Sequence, residues 1–257
     1  MTPEMPGGYG RRRSAMTLEI TDRAPLALLP FLYESADSLL EDAGKLSEAE
    51  IRAPSSLPGW SRAHVLAHLA GGSDSRVRLL VAARTGLPIP QYPGERSRAE
   101  QIARDARRPV AELLDLLRFS TTKALTAIRD HPQAAWNRPV RWLGGSEHPV
   151  HRVVSSQLQE LEIHHVDLKV GYTPDDWPGW FAADLCRTVV ADLAGREDIP
   201  GMRMAATDEE IRHDFGPGPL VTGRSRALLA WLIGRGDGAE LTVTPAGPLP
   251  EPPPWRR

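Results

Sequence analysis

QLQELEIHHVDLKVGYTPDDWP, residues 157–178, begins as a run of helix-forming residues and ends in a break that contains glycine and proline. Four polar residues in this segment share one face of a helix, because they recur at i, i+3, i+7 and i+10: Gln157, Glu160, His164 and Asp167. A helical face that packs on a core is normally apolar. This face offers hydrogen-bonding groups and metal ligands instead, so the segment predicts a helix that lines a polar site.

The composition of the chain is that of an ordinary globular protein. It has 257 residues, of which 41% are hydrophobic and 25% are charged, and its formal net charge is -2. This charge gives no electrostatic basis for binding nucleic acid or an anionic membrane, and no apolar run approaches the ~18 residues of a membrane span. The single cysteine, Cys186, excludes an intrachain disulfide and a cysteine-rich zinc site, so a cytoplasmic location is expected.

The spacing of apolar residues predicts a series of helices followed by a short α+β segment. Helices are expected within residues 24–51, 61–86, 97–130, 149–170 and 179–195. Ser61 is the predicted N-cap of the second helix, and Gly86 is the predicted residue after its C-terminus. The segment WNRPVRWLGGSEHP, before the fourth helix, is expected to be a loop. The first four helices are expected to form a bundle.

The predicted fold is therefore mainly α, a four-helix bundle followed by a small α+β unit. In that unit, GMRMAATD and ELTVTP resemble short strands, and GRSRALLAWLIGR resembles an amphipathic helix. The unit is too small to be stable alone and should pack on the bundle. The predicted organisation is a disordered leader, the bundle, the α+β unit and a Pro-rich tail, at residues 1–18, 19–195, 196–250 and 251–257.

The helix within residues 149–170 carries two ligand types at neighbouring positions. Glu160 and His164 are related as i and i+4, and a second helix offers His64 and His68 with the same spacing. One histidine from the second helix would complete a set of two imidazoles and one carboxylate, which suits zinc and related divalent ions. Three protein ligands leave a coordination position open, as catalytic metal sites do.

The other histidines and the cysteine have simpler interpretations. His165 follows His164 but points about a hundred degrees round the helix, so we expect a surface or hydrogen-bonded residue. Cys186 lies in an apolar helix and is expected to pack rather than react. No catalytic role is expected for the remaining histidines, which lie at or near predicted loops: His131, His148, His151 and His213.

Four segments of the chain resemble the mycothiol-dependent maleylpyruvate isomerase family, within the DinB-like metal-binding bundles. The matching segments are LPGWSRAHVLAHLA, YPGERSRAEQI, ELEIHHVDLKVGYTPDDWP and VTGRSRALLAWLIGR. They extend from about residue 55 to residue 235, so the resemblance covers most of the chain. It implies a four-helix bundle followed by a small α+β domain, in agreement with the pattern of the sequence.

The resemblance also implies which residues bind the metal. The ligands carried over are His68, Glu160 and His164, and His68 is preferred because it directly precedes Leu-Ala. His64 then lies one turn away, where it either contacts a ligand residue without binding the metal or has a structural role. Asp167 is one turn past His164 and could orient that ligand through a hydrogen bond.

The family further implies a catalytic arginine from the C-terminal domain. Arg235 is the position carried over, and Arg224 and Arg226 at the start of the same helix are competitors. The alternative for Arg235 is a structural role, in which it caps the C-terminus of its helix.

The activity that the resemblance implies is a metal-dependent, mycothiol-dependent cis–trans isomerisation. A divalent metal, with zinc expected, would activate the external thiol, and the thiolate would add to maleylpyruvate before bond rotation and elimination. The expected partners are a small-molecule thiol and a small electrophilic substrate, with no nucleic acid or membrane, and a monomer is expected. Two alternatives stay open, a mycothiol S-transferase acting on another electrophile and a non-catalytic metal-binding regulatory module.

Overall fold

The computed structural model of the protein describes residues 24–94 and 96–255. The predicted leader, residues 1–18, lies outside these ranges. The helices in the described part are α1 (Leu29–Gly44), α2 (Glu48–Arg52), α3 (Arg62–Thr85), α4 (Ser97–Asp105), α5 (Val110–Arg129), α6 (Arg152–Asp167), α7 (Gly179–Ala194) and α8 (Ser225–Leu232). Among the residues described, no helix is both long and apolar enough to cross a membrane.

Four of these helices form the bundle that the sequence predicts. Helix α3 packs on α5 and α6, and α1 packs on the same two helices from the other side. The apolar face of α1 shows why, because its buried residues recur at helical spacing: Leu32, Ala36, Leu39 and Ala43. The predicted mainly α fold with a small C-terminal unit is confirmed.

Helix α3 is the central helix of the bundle. Its 24 residues are buried on nearly all sides, because α2, α4, α5 and α6 all contact it. Ser61 is its N-cap, and Gly86 closes its C-terminus in the left-handed conformation with φ 74°, as the sequence predicts. A helix enclosed in this way can hold polar side chains only where other residues satisfy them.

Three predicted helix boundaries were wrong. The segment 97–130 forms α4 and α5 with a break at Pro109, because proline removes a backbone donor and its predecessor avoids the helical region. The segment 24–51 also divides in two, and Ser47 starts α2 with a capping box. The helix expected from Pro149 begins only at Arg152, because Pro149 belongs to a strand.

A β-hairpin replaces the loop that was expected before α6. Strands β1 (Pro139–Arg141) and β2 (Glu147–Pro149) are antiparallel, and Val140 pairs with His148. Gly144 and Gly145 make the turn possible, because both have positive φ angles, 94° and 89°. Strand β1 of the hairpin packs on α3.

The C-terminal unit contains a four-stranded sheet in the order β4–β3–β5–β6. Its strands are β3 (Arg203–Ala206), β4 (Arg212–Asp214), β5 (Leu220–Gly223) and β6 (Thr242–Thr244). Strands β3 and β5 are parallel, and the other pairs are antiparallel. Only β3 and β6 were predicted, because β4 and β5 are short and lie among glycine, proline and charged residues.

The C-terminal unit packs on the helices, as expected for a unit of its size. Helix α8 contacts α7, and Val221 of β5 belongs to the same buried apolar cluster as Phe181 of α7. The core is therefore continuous from the bundle to the sheet. The domain boundaries at residues 196 and 250 remain predictions.

Candidate metal centre

Three side chains from two facing helices converge at one point. Nε2 of His68, on α3, lies 2.8 Å from Oε2 of Glu160 and 3.0 Å from Nε2 of His164, both on α6. The remaining distance, from Nε2 of His164 to Oε2 of Glu160, is 3.4 Å. Neighbouring ligands of a tetrahedral zinc ion with bonds of ~2.0–2.1 Å are about 3.3 Å apart. The three atoms therefore have nearly the spacing of one ligand set.

The polar atoms of this cluster do not satisfy one another. Two imidazole nitrogens face each other, and only one of them can carry the hydrogen of a bond between them. Oε2 of Glu160 is buried and has no hydrogen bond of normal geometry within the described part of the chain. Two imidazoles and an orphaned carboxylate oxygen are a donor set that zinc and related ions prefer. The residues therefore fit a divalent metal, and their role as ligands remains a prediction.

Arg76 positions Glu160 through an ion pair. This role of Arg76 was not predicted from the sequence. This arginine of α3 is only 4% exposed, and its Nη2 lies 3.0 Å from Oε1 of Glu160 and 2.9 Å from Oγ of Ser156. Burial alone would raise the pKa of Glu160, but the charge of Arg76 and the nearby histidines hold it well below its ordinary value. Glu160 is therefore ionised. No local signal distinguishes Arg76, because α3 also carries Arg62, Arg78 and Arg84.

Asp167 connects His164 to the C-terminal unit. Nδ1 of His164 donates to Oδ2 of Asp167 over 2.8 Å, as the sequence led us to expect, which leaves Nε2 facing the cluster. Burial opposes the ionised form of Asp167, but its bonds to His164 and Arg235 outweigh burial and lower its pKa to about 2. Burial likewise lowers the pKa of His164, but the contacts with Asp167 and Glu160 together outweigh burial and the pKa is raised.

Arg235 makes contacts that fit both roles considered for it. Its Nε and Nη2 donate to the two carboxylate oxygens of Asp167 over 3.1 and 2.8 Å, and its Nη1 donates to the carbonyl of Ile233, just past α8, over 2.7 Å. It also lines the cavity above the cluster. Arg226 instead donates to the carbonyl of Trp177, and Arg224 is the N-cap of α8. Of the three candidates, only Arg235 lines this cavity.

A cavity of about 380 Å³ opens above the cluster and contains a second arginine. Arg98 extends from α4, and its Nη2 lies 3.3 Å from Nδ1 of His68. An imidazole that gives Nε2 to a metal carries its hydrogen on Nδ1 and cannot accept from an arginine. Metal binding through Nε2 of His68 would therefore break this hydrogen bond. The guanidinium of Arg98 would then be available to a ligand in the cavity. Arg98 was not predicted from the sequence as a site residue, although it lies in the motif YPGERSRAEQI.

The predicted Pro-rich tail also reaches this cavity. Pro254 and Trp255 form part of its wall. Trp255 is held by a 2.9 Å hydrogen bond from its Nε1 to Asp192 of α7. No sequence signal placed the tail here, because the position depends on tertiary contacts alone.

Two predicted residues have structural contacts rather than contacts with the cluster. His64 lies in the first turn of α3, and its Nδ1 accepts from the backbone N–H of Ser61 over 3.3 Å, while its role stays a prediction. Gln157 is buried and donates to Oγ of Ser73 over 3.1 Å, which joins α6 to α3. The polar face of α6 therefore lines the candidate metal site in one part and contacts α3 in another.

The remaining histidines lie apart from the cluster. His165 is buried, stacks on Tyr172 with ring centres 3.9 Å apart and has Nε2 3.1 Å from Asp42, so it is a hydrogen-bonded residue as expected. The group within 4.8 Å that could hold a metal includes none of the four histidines assigned no catalytic role: His131, His148, His151 and His213.

The fold and the site together define a helical-bundle protein with a His/Glu centre and a small α+β unit attached. The chain belongs to the mycothiol maleylpyruvate isomerase family. The family model of the mycothiol maleylpyruvate isomerase N-terminal domain matches residues 32–169, which is more than half of the chain. The resemblance stated from sequence is confirmed, and the chain is an enzyme of this family.

Two solved structures show the same fold. They are the mycothiol-dependent maleylpyruvate isomerase and a mutant of it. Each has a TM-score of 0.86 and 24% sequence identity, and each match covers 93% of this chain and 100% of the other. No curated protein sequence matches the chain.

We expect the purified protein to bind one divalent metal ion per chain and His164→Ala to bind far less, because one of three ligands is lost. Elemental analysis measures the metal content. His64→Ala is the matched control on α3 and should keep the metal. Equal metal in wild type and His164→Ala, or loss in His64→Ala with retention in His68→Ala, would contradict the ligand set.

Arg76→Met should destabilise the metal-free protein by about 3 kcal/mol, because it leaves Glu160 ionised and buried without its main counter-charge. Urea unfolding in the presence of a chelator measures the free energy of unfolding. Arg78→Met, two residues along α3, should change it by less than about 0.5 kcal/mol. Equal effects of the two substitutions would show that the ion pair with Glu160 is unimportant.

Proposed function

We propose that the chain is a mycothiol-dependent isomerase that converts maleylpyruvate to fumarylpyruvate at the His68–Glu160–His164 centre. The observation that carries the proposal is the convergence of three ligand atoms at a cavity that also holds two arginines. Membership of the family supports the choice of thiol and substrate. The proposal rests on these two supports together, since a fold alone does not fix a reaction.

The residues around the centre would hold and orient the ligands of a metal that binds an external thiol. A divalent metal held by His68, Glu160 and His164 would lower the pKa of a bound thiol and favour its thiolate. Asp167 accepts the Nδ1 hydrogen of His164 and so fixes the tautomer of that ring. Arg76 holds Oε1 of Glu160, which keeps that carboxylate ionised and oriented.

The isomerisation needs no net oxidation or reduction. The thiolate forms a C–S bond at one carbon of the cis double bond. The π electron pair of the double bond then moves toward the neighbouring carbonyl, which becomes an enolate. The former double bond is then single and can rotate. Return of the electron pair expels the thiolate and forms the trans double bond. The chain's part is to bind the substrate carboxylates and stabilise the enolate charge, and the cavity arginines Arg98 and Arg235 suit both tasks.

The protein's own thiol is unsuited to this chemistry. Cys186 is fully buried in α7, and burial raises its pKa to about 12. It does not line the cavity above the cluster. A thiol that reacts at the centre must therefore come from outside the chain.

The direct test is to incubate the zinc-loaded protein with maleylpyruvate and follow the cis-to-trans conversion by proton NMR. We expect turnover only when mycothiol is added. Cys186→Ala should retain this turnover and lose about 1 kcal/mol of stability from the removed sulfur. Absence of isomerisation, together with mycothiol transfer to a bimane electrophile, would instead identify a mycothiol S-transferase. Loss of turnover in folded, metal-loaded Cys186→Ala would exclude the external-thiol mechanism.

Arg235→Lys separates the catalytic role of this arginine from a capping role. Lysine keeps the charge but loses the two-pronged donor geometry. We expect kcat to fall about 10²-fold with metal content unchanged, because a donor to developing charge is lost. Arg226→Lys is the matched control from α8 and should keep nearly full activity. An unchanged kcat in Arg235→Lys would show that Arg235 only caps its helix and holds Asp167.

A further inference from the structure

A second cavity, of about 530 Å³, lies between the β1–β2 hairpin, α6 and α7. We call it the hairpin cavity. Its lining includes Trp142 and His148 from the hairpin region, Arg152 and Ser155 from α6, and Thr188 and Asp192 from α7. Its volume is within the range of small-molecule sites.

The hairpin cavity adjoins the cavity above the metal centre. Gln159 lines both of them, because Ser156, Gln159 and Ile163 follow one another along the same side of α6. From Ser156 to His164 the helix rises about 12 Å. The hairpin cavity and the cluster are therefore about one small-molecule length apart along α6.

On the side opposite α6, a hydrogen bond from the C-terminal tail to α7 joins the walls of the two cavities. Asp192 lines the hairpin cavity and accepts from Nε1 of Trp255, which lines the metal cavity. Arg196 donates to the carbonyl of Pro254 over 2.6 Å and helps to hold this end of the chain. Gln159 and Trp255 thus form the boundary between the two cavities.

The side chains of the hairpin cavity suit a neutral, polyhydroxylated ligand. The hydroxyls of Ser155 and Thr188 are capable of both donating and accepting hydrogen bonds. Arg152 and Asp192 carry opposite charges, so the cavity does not select for an anion or a cation. The indole ring of Trp142 offers an apolar face of the kind on which a sugar ring can pack. The metal cavity differs, because Arg98 and Arg235 make it suited to carboxylates.

We infer that the hairpin cavity binds the sugar-like part of the thiol whose sulfur reacts at the metal centre. This inference rests on the proposed function. Mycothiol carries its cysteine on a glucosamine–inositol pseudo-disaccharide, a neutral polyol apart from the linking amide. The thiol end lies at the centre, the chain passes Gln159 and the polyol occupies the hairpin cavity. Carboxylate substrate and thiol carrier then occupy different cavities and meet at the metal centre.

The test compares mycothiol with N-acetylcysteine, a thiol that lacks the polyol. Arg152→Ala should lower the ratio of kcat/KM for mycothiol to kcat/KM for N-acetylcysteine about tenfold, because a charged hydrogen-bond donor is lost. His148→Ala should act in the same direction, since Arg152 donates to Nδ1 of His148 over 3.1 Å. Arg141→Ala, on β1 but outside the hairpin cavity, is the matched control and should keep the wild-type ratio.

A binding experiment keeps the inference separate from the proposed function. Calorimetry with the N-acetylglucosamine–inositol pseudo-disaccharide, whose amide keeps it neutral, needs neither metal nor turnover. Binding to wild type that weakens about tenfold in Arg152→Ala supports the inference even if no thiol gives isomerisation. No binding to wild type, equal binding to wild type and Arg152→Ala, or an unchanged thiol ratio in a folded, metal-loaded Arg152→Ala protein would overturn it.

Discussion

An ionised carboxylate largely enclosed between two helices is the constraint on which the site depends. Glu160 is surrounded by Arg76, His68 and His164, and its second oxygen is left without a hydrogen bond of normal geometry in the described structure. A buried charge is costly unless other charges or hydrogen bonds compensate it. Arg76 offsets part of the free-energy cost of burying the Glu160 charge, and a bound cation would offset the rest. The ion pair between Arg76 on α3 and Glu160 on α6 therefore links the two helices at the site.

The small C-terminal unit is connected to this centre through one aspartate. Asp167 accepts from His164 on the bundle and from Arg235 beyond α8, so the orientation of a predicted ligand depends on the C-terminal unit. Ser56 adds a further bond to the same carboxylate, 2.6 Å long. An arginine held in this way is pre-positioned at the cavity, which costs less than ordering a free side chain when substrate binds. The position of the C-terminal unit therefore determines where Arg235 lies relative to the cavity.

Features encoded by local sequence could be predicted, and features that depend on tertiary pairing could not. The polar face of α6, the caps of α3 and the helical bundle follow from residue spacing and capping preferences. Pro109 indicates the break before α5, so the prediction of one helix over residues 97–130 was wrong although the sequence contained the signal. Arg76 and Arg98 lack a local pattern, because what they contact lies on other helices. Strands β4 and β5 are too short for alternation to distinguish them from loops.

X-ray absorption spectroscopy of the zinc-loaded protein at the zinc edge, with and without mycothiol, tests the central claim most directly. Without mycothiol, the account predicts a first shell of nitrogen and oxygen only, with the multiple-scattering signature of two imidazoles. With mycothiol, it predicts one added sulfur at about 2.3 Å. A first shell that stays free of sulfur at saturating mycothiol, or one without two imidazoles, would contradict an open His68–Glu160–His164 centre that binds the thiol.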